Sequence, residues 1–362
     1  ARVSTLWQIL LLDHLTCLPT MNRSGFMALH PTWCTGFNTL AINFDYNMKR
    51  CYTFAMSLPQ RLFHIVRAGR PNQWIKNLIV YTAILFNAKL FELPLLVNST
   101  FAFIILCMIS SASYMINDII DAPLDRLHPT KKNRPIASGK VSMQDATFVL
   151  FLLIILALTS ALFLRIGLAI IIIIFFGLHV TYSLYLKKHI LFDLFGISLS
   201  FMLRLFAGEV VTGYHVPIWL WLTTFFFALF IASVKRHSEF INQGTKTRPA
   251  LKNYSEQLFL FLVNSFSVLA IVSYSMYAFV EKPPHIGSKL SGMFQSILRT
   301  EEPRKWFTLT VPLVVFGVSR YAQLLYEKRQ GEQPERIITR DFVLMATILV
   351  WGILLVGLIY IF

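Results

Sequence analysis

A chain of 362 residues that is 56% hydrophobic and only 14% charged, with a mean hydropathy of +0.60, is too apolar for a soluble domain; soluble proteins carry charge on about a quarter of their residues. The formal charge of +15 sits in short loops between apolar runs, without a nucleic-acid reading module. That pattern fits membrane topology and speaks against nucleic acid as a partner.

Residues 1–55 hold three of the four cysteines, Cys17, Cys34 and Cys51, and no run long enough to cross a bilayer. Leu6 to Leu12 is apolar but falls short of the roughly 20 residues a crossing needs. No basic cluster precedes a signal-type core. The four cysteines form no CxxC pair and no metal-site spacing, and Cys107, inside an apolar run, reads as a small packing residue. At Met56 the pattern changes to an amphipathic segment. Met56 is expected to be the natural start, or residues 1–55 a dispensable extension, with the functional domain at 56–362.

Nine apolar runs follow, at about 75–91, 95–117, 145–164, 166–186, 190–211, 216–234, 256–280, 306–326 and 341–362. The expected fold is all-α, a polytopic membrane bundle of nine transmembrane helices. The first run is short and carries Lys76 and Asn77 at its start. With the N-terminus inside, 20 lysines and arginines fall on the cytoplasmic side of these spans and seven on the other. This is the asymmetry of the positive-inside rule.

Acidic residues are scarce, and Asp118, Asp121, Asp125, Asp193 and Glu239 all fall near cytoplasmic ends of spans. Asp118, Asp121 and Asp125 follow Asn117 at steps of three and four, which share one helix face. Pro123 should end that helix, leaving Asp125 on the bend beyond. Such carboxylates can hold Mg²⁺ against a diphosphate, and the cations that follow, Lys131 and Arg134, can hold phosphates. The bland alternative is that the carboxylates only neutralise neighbouring basic loops. A second cluster runs through Tyr182, Lys187, Lys188, Asp193 and Arg204. Asp193 and Arg204 are about three turns apart on one stripe, so Arg204 lies within the membrane and needs an anion. That anion is a substrate, or a carboxylate such as Glu209 or Asp193. Lys235, Arg236 and Glu239 form a third cluster, in which Lys235 and Glu239 can make a surface pair. Arg70, Lys76 and Asn77 can place cations near a phosphate, with Trp74 as an interfacial anchor. His128, His179, His189 and His237 read as packing or loop residues.

The pattern Asn117-Asp118-x-x-Asp121-x-x-x-Asp125 after the second span, with a second polar motif at spans four to five, resembles the UbiA-type prenyltransferases. The resemblance implies nine transmembrane helices and a Mg²⁺–diphosphate site at the cytoplasmic face, with Asp118, Asp121 and Asp125 as catalytic metal ligands. A finer resemblance, to the decaprenyl-phosphate phosphoribosyltransferase branch, spans about residues 65–345. It rests on Arg70-Pro71-x-Gln73-Trp74-x-Lys76-Asn77, His128-Pro129-x-Lys131, Arg134-Pro135-Ile136-Ala137, Leu203-Arg204 with Ala207-Gly208, Lys235-Arg236-x-x-Glu239, Arg320-Tyr321 and Pro334-Glu335. It implies phosphoribosyl diphosphate as donor, a polyprenyl phosphate as acceptor and Mg²⁺ as cofactor. The substrate-binding set is then Lys76, Asn77, Asn117, Lys131, Arg134, Tyr182, Lys187, Lys188, Asp193, Arg204, Lys235, Arg236 and Glu239. Between Tyr182 and Arg204 the only acidic residue is Asp193, a departure from the usual prenyltransferase motif. The competing readings are an aromatic prenyltransferase using a polyprenyl diphosphate, and a transporter or non-catalytic lipid-phosphate binder. A transporter would carry its ionisable residues nearer the bilayer midplane. The expected location is a bacterial inner membrane, with the N-terminus cytoplasmic. Nothing in the sequence specifies a homo-oligomer.

Overall fold

The computed structural model describes residues 57–127, 131–243, 255–281, 303–328 and 341–360. The extension expected at 1–55, His128 and the Pro334-Glu335 pair lie outside them. The described residues form helices and connecting turns: α1 (Leu58–Ala68), α2 (Thr82–Phe86), α3 (Leu93–Leu127), α4 (Met143–Leu164), α5 (Ile166–Leu184), α6 (Ile190–Thr212), α7 (Ile218–Gln243), α8 (Glu256–Val280), α9 (Val311–Lys328) and α10 (Phe342–Tyr360). Tighter 3-10 turns cover Pro71–Tyr81, Lys131–Asn133, Leu186–Lys188 and Pro303–Thr310.

Eight helical stretches among the described residues are long and apolar enough to cross a membrane. They match the second to ninth expected spans. Their outward faces are apolar: α4 exposes Phe148, Phe151, Ile155 and Phe163. In water this would be a liability, whereas facing lipid it costs nothing. The inward faces carry small residues. Ala157 and Ala161 of α4, Ala169 of α5 and Ala207 of α6 are buried with Ile105, Ile109, Leu168 and Phe175 in one cluster. Small side chains let helix backbones approach closely without a hydrophobic driving force.

The first expected span, 75–91, differs in kind. It is the 3-10 segment Pro71–Tyr81 followed by the single turn and a half of α2. It still runs along the bundle, antiparallel to α3. Arg70 bonds Asp118, Trp74 Nε1 donates to Ser111 Oγ at 3.0 Å, Asn77 Nδ2 to Cys107 Sγ at 3.2 Å, and Tyr81 OH to Thr100 Oγ1 at 3.0 Å. From Asp118 to Thr100, α3 rises about 27 Å at 1.5 Å per residue. A 3-10 helix rises about 2.0 Å per residue. The narrower winding therefore carries few residues across most of that length. The far end is fixed by Asn87 Nδ2, which donates to the Ala83 and His215 carbonyls, and by Tyr360 OH, which accepts from the Leu90 N–H.

One glycine permits this arrangement. A Cβ on Gly208 of α6 would lie 2.2 Å from the Val80 carbonyl oxygen. The backbones of α6 and the 3-10 segment are in direct contact there, one turn from Arg204 and Asn77.

Candidate active site

Three segments bring cations to the last three turns of α3. Helix α3 continues through Pro123 to Leu127, so Asp125 lies on the helix and not on a bend beyond it. Proline removes only one backbone donor, and Ala122 at its N-terminal side is buried with Ile136, Val141 and Ala146. That packing holds the helical course. Asp118 and Asp125 are buried.

Arg70 is the first cation. It sits between α1 and the 3-10 segment in the left-handed region, with φ 53° and ψ 63°. A non-glycine residue there is strained, and the residue before a proline is restricted as well. Its Nη2 donates to Asp118 Oδ1 at 2.5 Å, and its guanidinium stacks 5.1 Å from the Tyr114 ring centroid. Strain held by such contacts is the kind that gathers at functional sites. Arg134 is the second cation. The Pro135-Ile136-Ala137 stretch beside it is buried and anchors the α3–α4 loop. One nitrogen, Arg134 Nη1, donates to Asp118 Oδ1 at 3.1 Å and to Asp125 Oδ2 at 2.6 Å. Lys187 is the third. It comes from the α5–α6 connection, and its Nζ bonds Asp121 Oδ1 at 2.7 Å.

The second half of the site joins α5, α6 and α7. Tyr182 OH donates to Asp193 Oδ1 at 2.6 Å. Arg236 Nε donates to Asp193 Oδ2, and its Nη2 reaches Asp193 Oδ1 and Tyr182 OH, each at 3.1 Å. Its Nη1 donates to Glu239 Oε2 at 2.6 Å. Arg236 is 2% exposed and Asp193 1%. Glu239 thus bonds Arg236, three residues back. The two halves meet through Lys187, which leaves the α5–α6 connection for α3.

The remaining expected residues are placed as follows. Asn117 is half-buried beside Asp118, while Lys76, Lys131 and Lys235 are partly exposed. Lys188 is exposed, 5.6 Å from the Tyr185 ring centroid, and is not among the carboxylates' partners. Arg204 finds neither Glu209 nor Asp193. Its Nε donates to Asn77 Oδ1 at 2.7 Å and its Nη1 to the Ser200 carbonyl at 2.7 Å. Asp193 is taken by Arg236, and Glu209 Oε1 by the Val216 N–H at 2.7 Å. Cys107 is more than filler, since it accepts from Asn77, and Trp74 is fixed by Ser111 as well as lying near an interface. His179 and His237 pack on Phe175 and Phe259. Arg70, read from the sequence as a cation near a phosphate but left out of the substrate-binding set, bonds Asp118 instead.

A divalent cation, which the resemblance implies, can be tested against these donors. Among the described residues no three His, Cys, Asp or Glu side chains are gathered as a metal site. Two are: Asp118 and Asp125 already share one cationic nitrogen, so a single positive centre reaches both. Asp121 points instead to Lys187. Mg²⁺ usually takes one or two carboxylates plus substrate phosphates and water. The donor set fits it.

Apolar helices that can cross a bilayer, with carboxylates and cations gathered at one end of the bundle, define an integral membrane protein with a polar interfacial site. The match to the UbiA prenyltransferase family covers residues 78–342, and the chain belongs to that family. The chain is 30% identical over 294 residues to the decaprenyl-phosphate phosphoribosyltransferase of Mycolicibacterium smegmatis, covering 79% of this chain and 89% of that one. It is 28% identical over 304 residues to the enzyme of the same name from Corynebacterium glutamicum, covering 82% and 87%. Among solved structures, a UbiA homolog from Archaeoglobus fulgidus bound to GPP and Mg²⁺ has a TM-score of 0.58 at 18% identity, over 81% of this chain and 99% of that one.

Proposed function

We propose that the chain transfers 5-phosphoribose from phosphoribosyl diphosphate to a polyprenyl phosphate, releasing diphosphate at the cytoplasmic membrane face. The observation that carries this reading is the α3 carboxylate face, whose Asp118, Asp121 and Asp125 are each held by a cation from a different segment. A site with this many cations suits substrates that together bring three phosphate-bearing ends. The names of the mycobacterial and corynebacterial relatives supply the particular donor and acceptor.

In the reaction the C1–O bond to diphosphate breaks and a bond from an acceptor phosphate oxygen to C1 forms. The transition state is oxocarbenium-like at C1. The nucleophile is already an anion, so no strong general base is required. Asp118 and Asp125 would hold Mg²⁺, which when bound stabilises the charge of the departing diphosphate. Arg134 and Lys187 are partly exposed and flexible, so each can turn from its carboxylate to a substrate phosphate. Arg70 is tied to Asp118 and to the Tyr114 ring, and it orients that carboxylate. Asp193 is fully engaged by Arg236 and Tyr182. The second half of the site therefore offers hydrogen bonds and not a second cluster of free carboxylates.

The test uses the purified chain in detergent with Mg²⁺, labelled phosphoribosyl diphosphate and a polyprenyl phosphate. Mg²⁺-dependent appearance of label in the organic phase supports the reading. Absence of transfer, in a preparation that joins a polyprenyl diphosphate to an aromatic acceptor, replaces it with the aromatic prenyltransferase reading.

A further inference from the structure

Arg204 is 2% exposed on a membrane-crossing helix, yet its hydrogen-bond partners are all neutral. They are Asn77 Oδ1, the Ser200 carbonyl, and Ser200 Oγ at 3.0 Å. Nη2 donates to nothing among the described residues. The guanidinium lies 4.6 Å from the Phe175 ring centroid and 5.4 Å from that of Phe201. Neutral hydrogen bonds and aromatic faces orient a buried charge but do not neutralise it, and an uncompensated charge within the membrane is costly. The carboxylates nearest along α6 are both committed elsewhere.

A second observation points to the same place. His179 stacks on the same Phe175 ring that Arg204 contacts, with ring centroids 4.5 Å apart. Its Nε2 is buried and has no hydrogen-bond partner. Asn77 is held in turn by Cys107 and by Ser110, whose Oγ is 3.4 Å from Asn77 Oδ1. The cluster is thus built and braced, and no carboxylate among the described residues pairs with its guanidinium. Ser200 and Ser110 mark its level, about two turns or roughly 10 Å below Asp193 and Asp118 on their helices. It is a separate position from the carboxylate layer.

We propose that Arg204, Asn77 and His179 form an anion subsite that takes a phosphate monoester. The inference rests on the transfer reading above, which supplies two sources of a monoester, the acceptor lipid phosphate and the 5-phosphate of the donor. Arg204 Nη2 and His179 Nε2 donate to it, and Asn77 holds the guanidinium in place.

The deciding variant is Asn77→Asp. It sets a carboxylate against Arg204 Nε and gives the guanidinium an internal counter-charge. If Arg204 were only structural, this change would leave ligand binding untouched. If the cluster is an anion subsite, the new carboxylate competes with the ligand while the fold is kept. The full chain in detergent is titrated with farnesyl phosphate and, separately, with ribose 5-phosphate, following equilibrium binding and thermal unfolding. We expect Asn77→Asp to unfold no earlier than the wild type and to bind one of the two probes at least tenfold more weakly. The probe that loses affinity identifies the source of the phosphate. Arg204→Gln should lose the same probe; if it does not fold, Asn77→Asp decides alone. Unchanged binding of both probes by Asn77→Asp, or no binding of either by the wild type, overturns the subsite. Turnover enters neither measurement. A chain that binds a monoester at Arg204 but transfers no ribose would overturn the proposed reaction and leave the subsite standing.

Discussion

Replacing Gly208 with alanine should destabilise the protein, although alanine is the better helix former. The propensity gain in a helix interior is about 1 kcal/mol. Against it stands the new Cβ, 2.2 Å from the Val80 carbonyl oxygen and 3.0 Å from its carbon. Ordinary contact begins at 3.4 Å, so α6 and the 3-10 segment must part by about 1 Å. Overpacking of this kind costs about 1–3 kcal/mol. One turn away the same movement stretches the 2.7 Å bond from Arg204 to Asn77 beyond hydrogen-bond range. Losing a bond to a charged group costs about 1.5–3 kcal/mol more. The clash therefore wins by about 2 kcal/mol or more. Gly177 of α5 is the control, since nothing lies within 4 Å of its Cβ position. Gly177→Ala should be neutral or stabilising. Thermal unfolding of both variants in one detergent makes the comparison. If Gly208→Ala unfolds at or above the temperature of Gly177→Ala, the close approach of the two backbones is wrong.

Asp118→Asn and Asp125→Asn should each abolish Mg²⁺-dependent transfer while the chain still folds; near-normal turnover in both would remove the metal-site proposal. Arg236→Met strands the buried Asp193 carboxylate and should cost about 3–5 kcal/mol, with part of the loss recovered in the double variant with Asp193→Leu. Wild-type unfolding of the single variant would contradict the buried pair. Lys187→Met breaks a partly exposed bond to Asp121, worth about 0–1 kcal/mol to stability. It should spare the fold and raise the KM for the donor, so an unchanged KM would remove Lys187 from the site.

The apolar runs were legible because a bilayer allows only long, internally bonded helices. Eight of the nine expected spans therefore appear, with α3 and α7 each running about nine or ten residues past the expected end. The span at 75–91 misled in kind because hydropathy counts apolar residues and assumes an α-helical rise. Here side chains bonded to α3 stretch the winding into a 3-10 form. The carboxylates were visible from their scarcity and spacing, yet their partners were not, because Arg70, Arg134 and Lys187 come from three segments distant in sequence. Pro123 reads locally as a helix end, but Ala122 packed on Ile136 and Val141 outweighs one lost backbone bond. For Arg204 the stripe with Asp193 was correct. Of its candidate anions, Asp193 is taken by Arg236, and a stripe on α6 says nothing of Arg236 arriving from α7.

The two halves of the site differ in what they can exchange. Asp193 and Arg236 are joined by bonds made almost wholly out of water, with Tyr182 and Glu239 completing the network at its partly exposed edge. Removing either Asp193 or Arg236 leaves the other as a buried, unpaired charge, so this pair cannot part cheaply to greet a substrate. Arg134 and Lys187 are 25% and 20% exposed; of their carboxylates, Asp121 is reached by water and Asp118 shares a second cation, while Asp125 is held by Arg134. Asp118 keeps Arg70 if Arg134 leaves. The α3 half can therefore change partners while the α5–α7 half holds its shape. Lys187, carried on the rigid half and bonded to the exchangeable one, is the group whose release would couple arrival of a phosphate to the geometry of both.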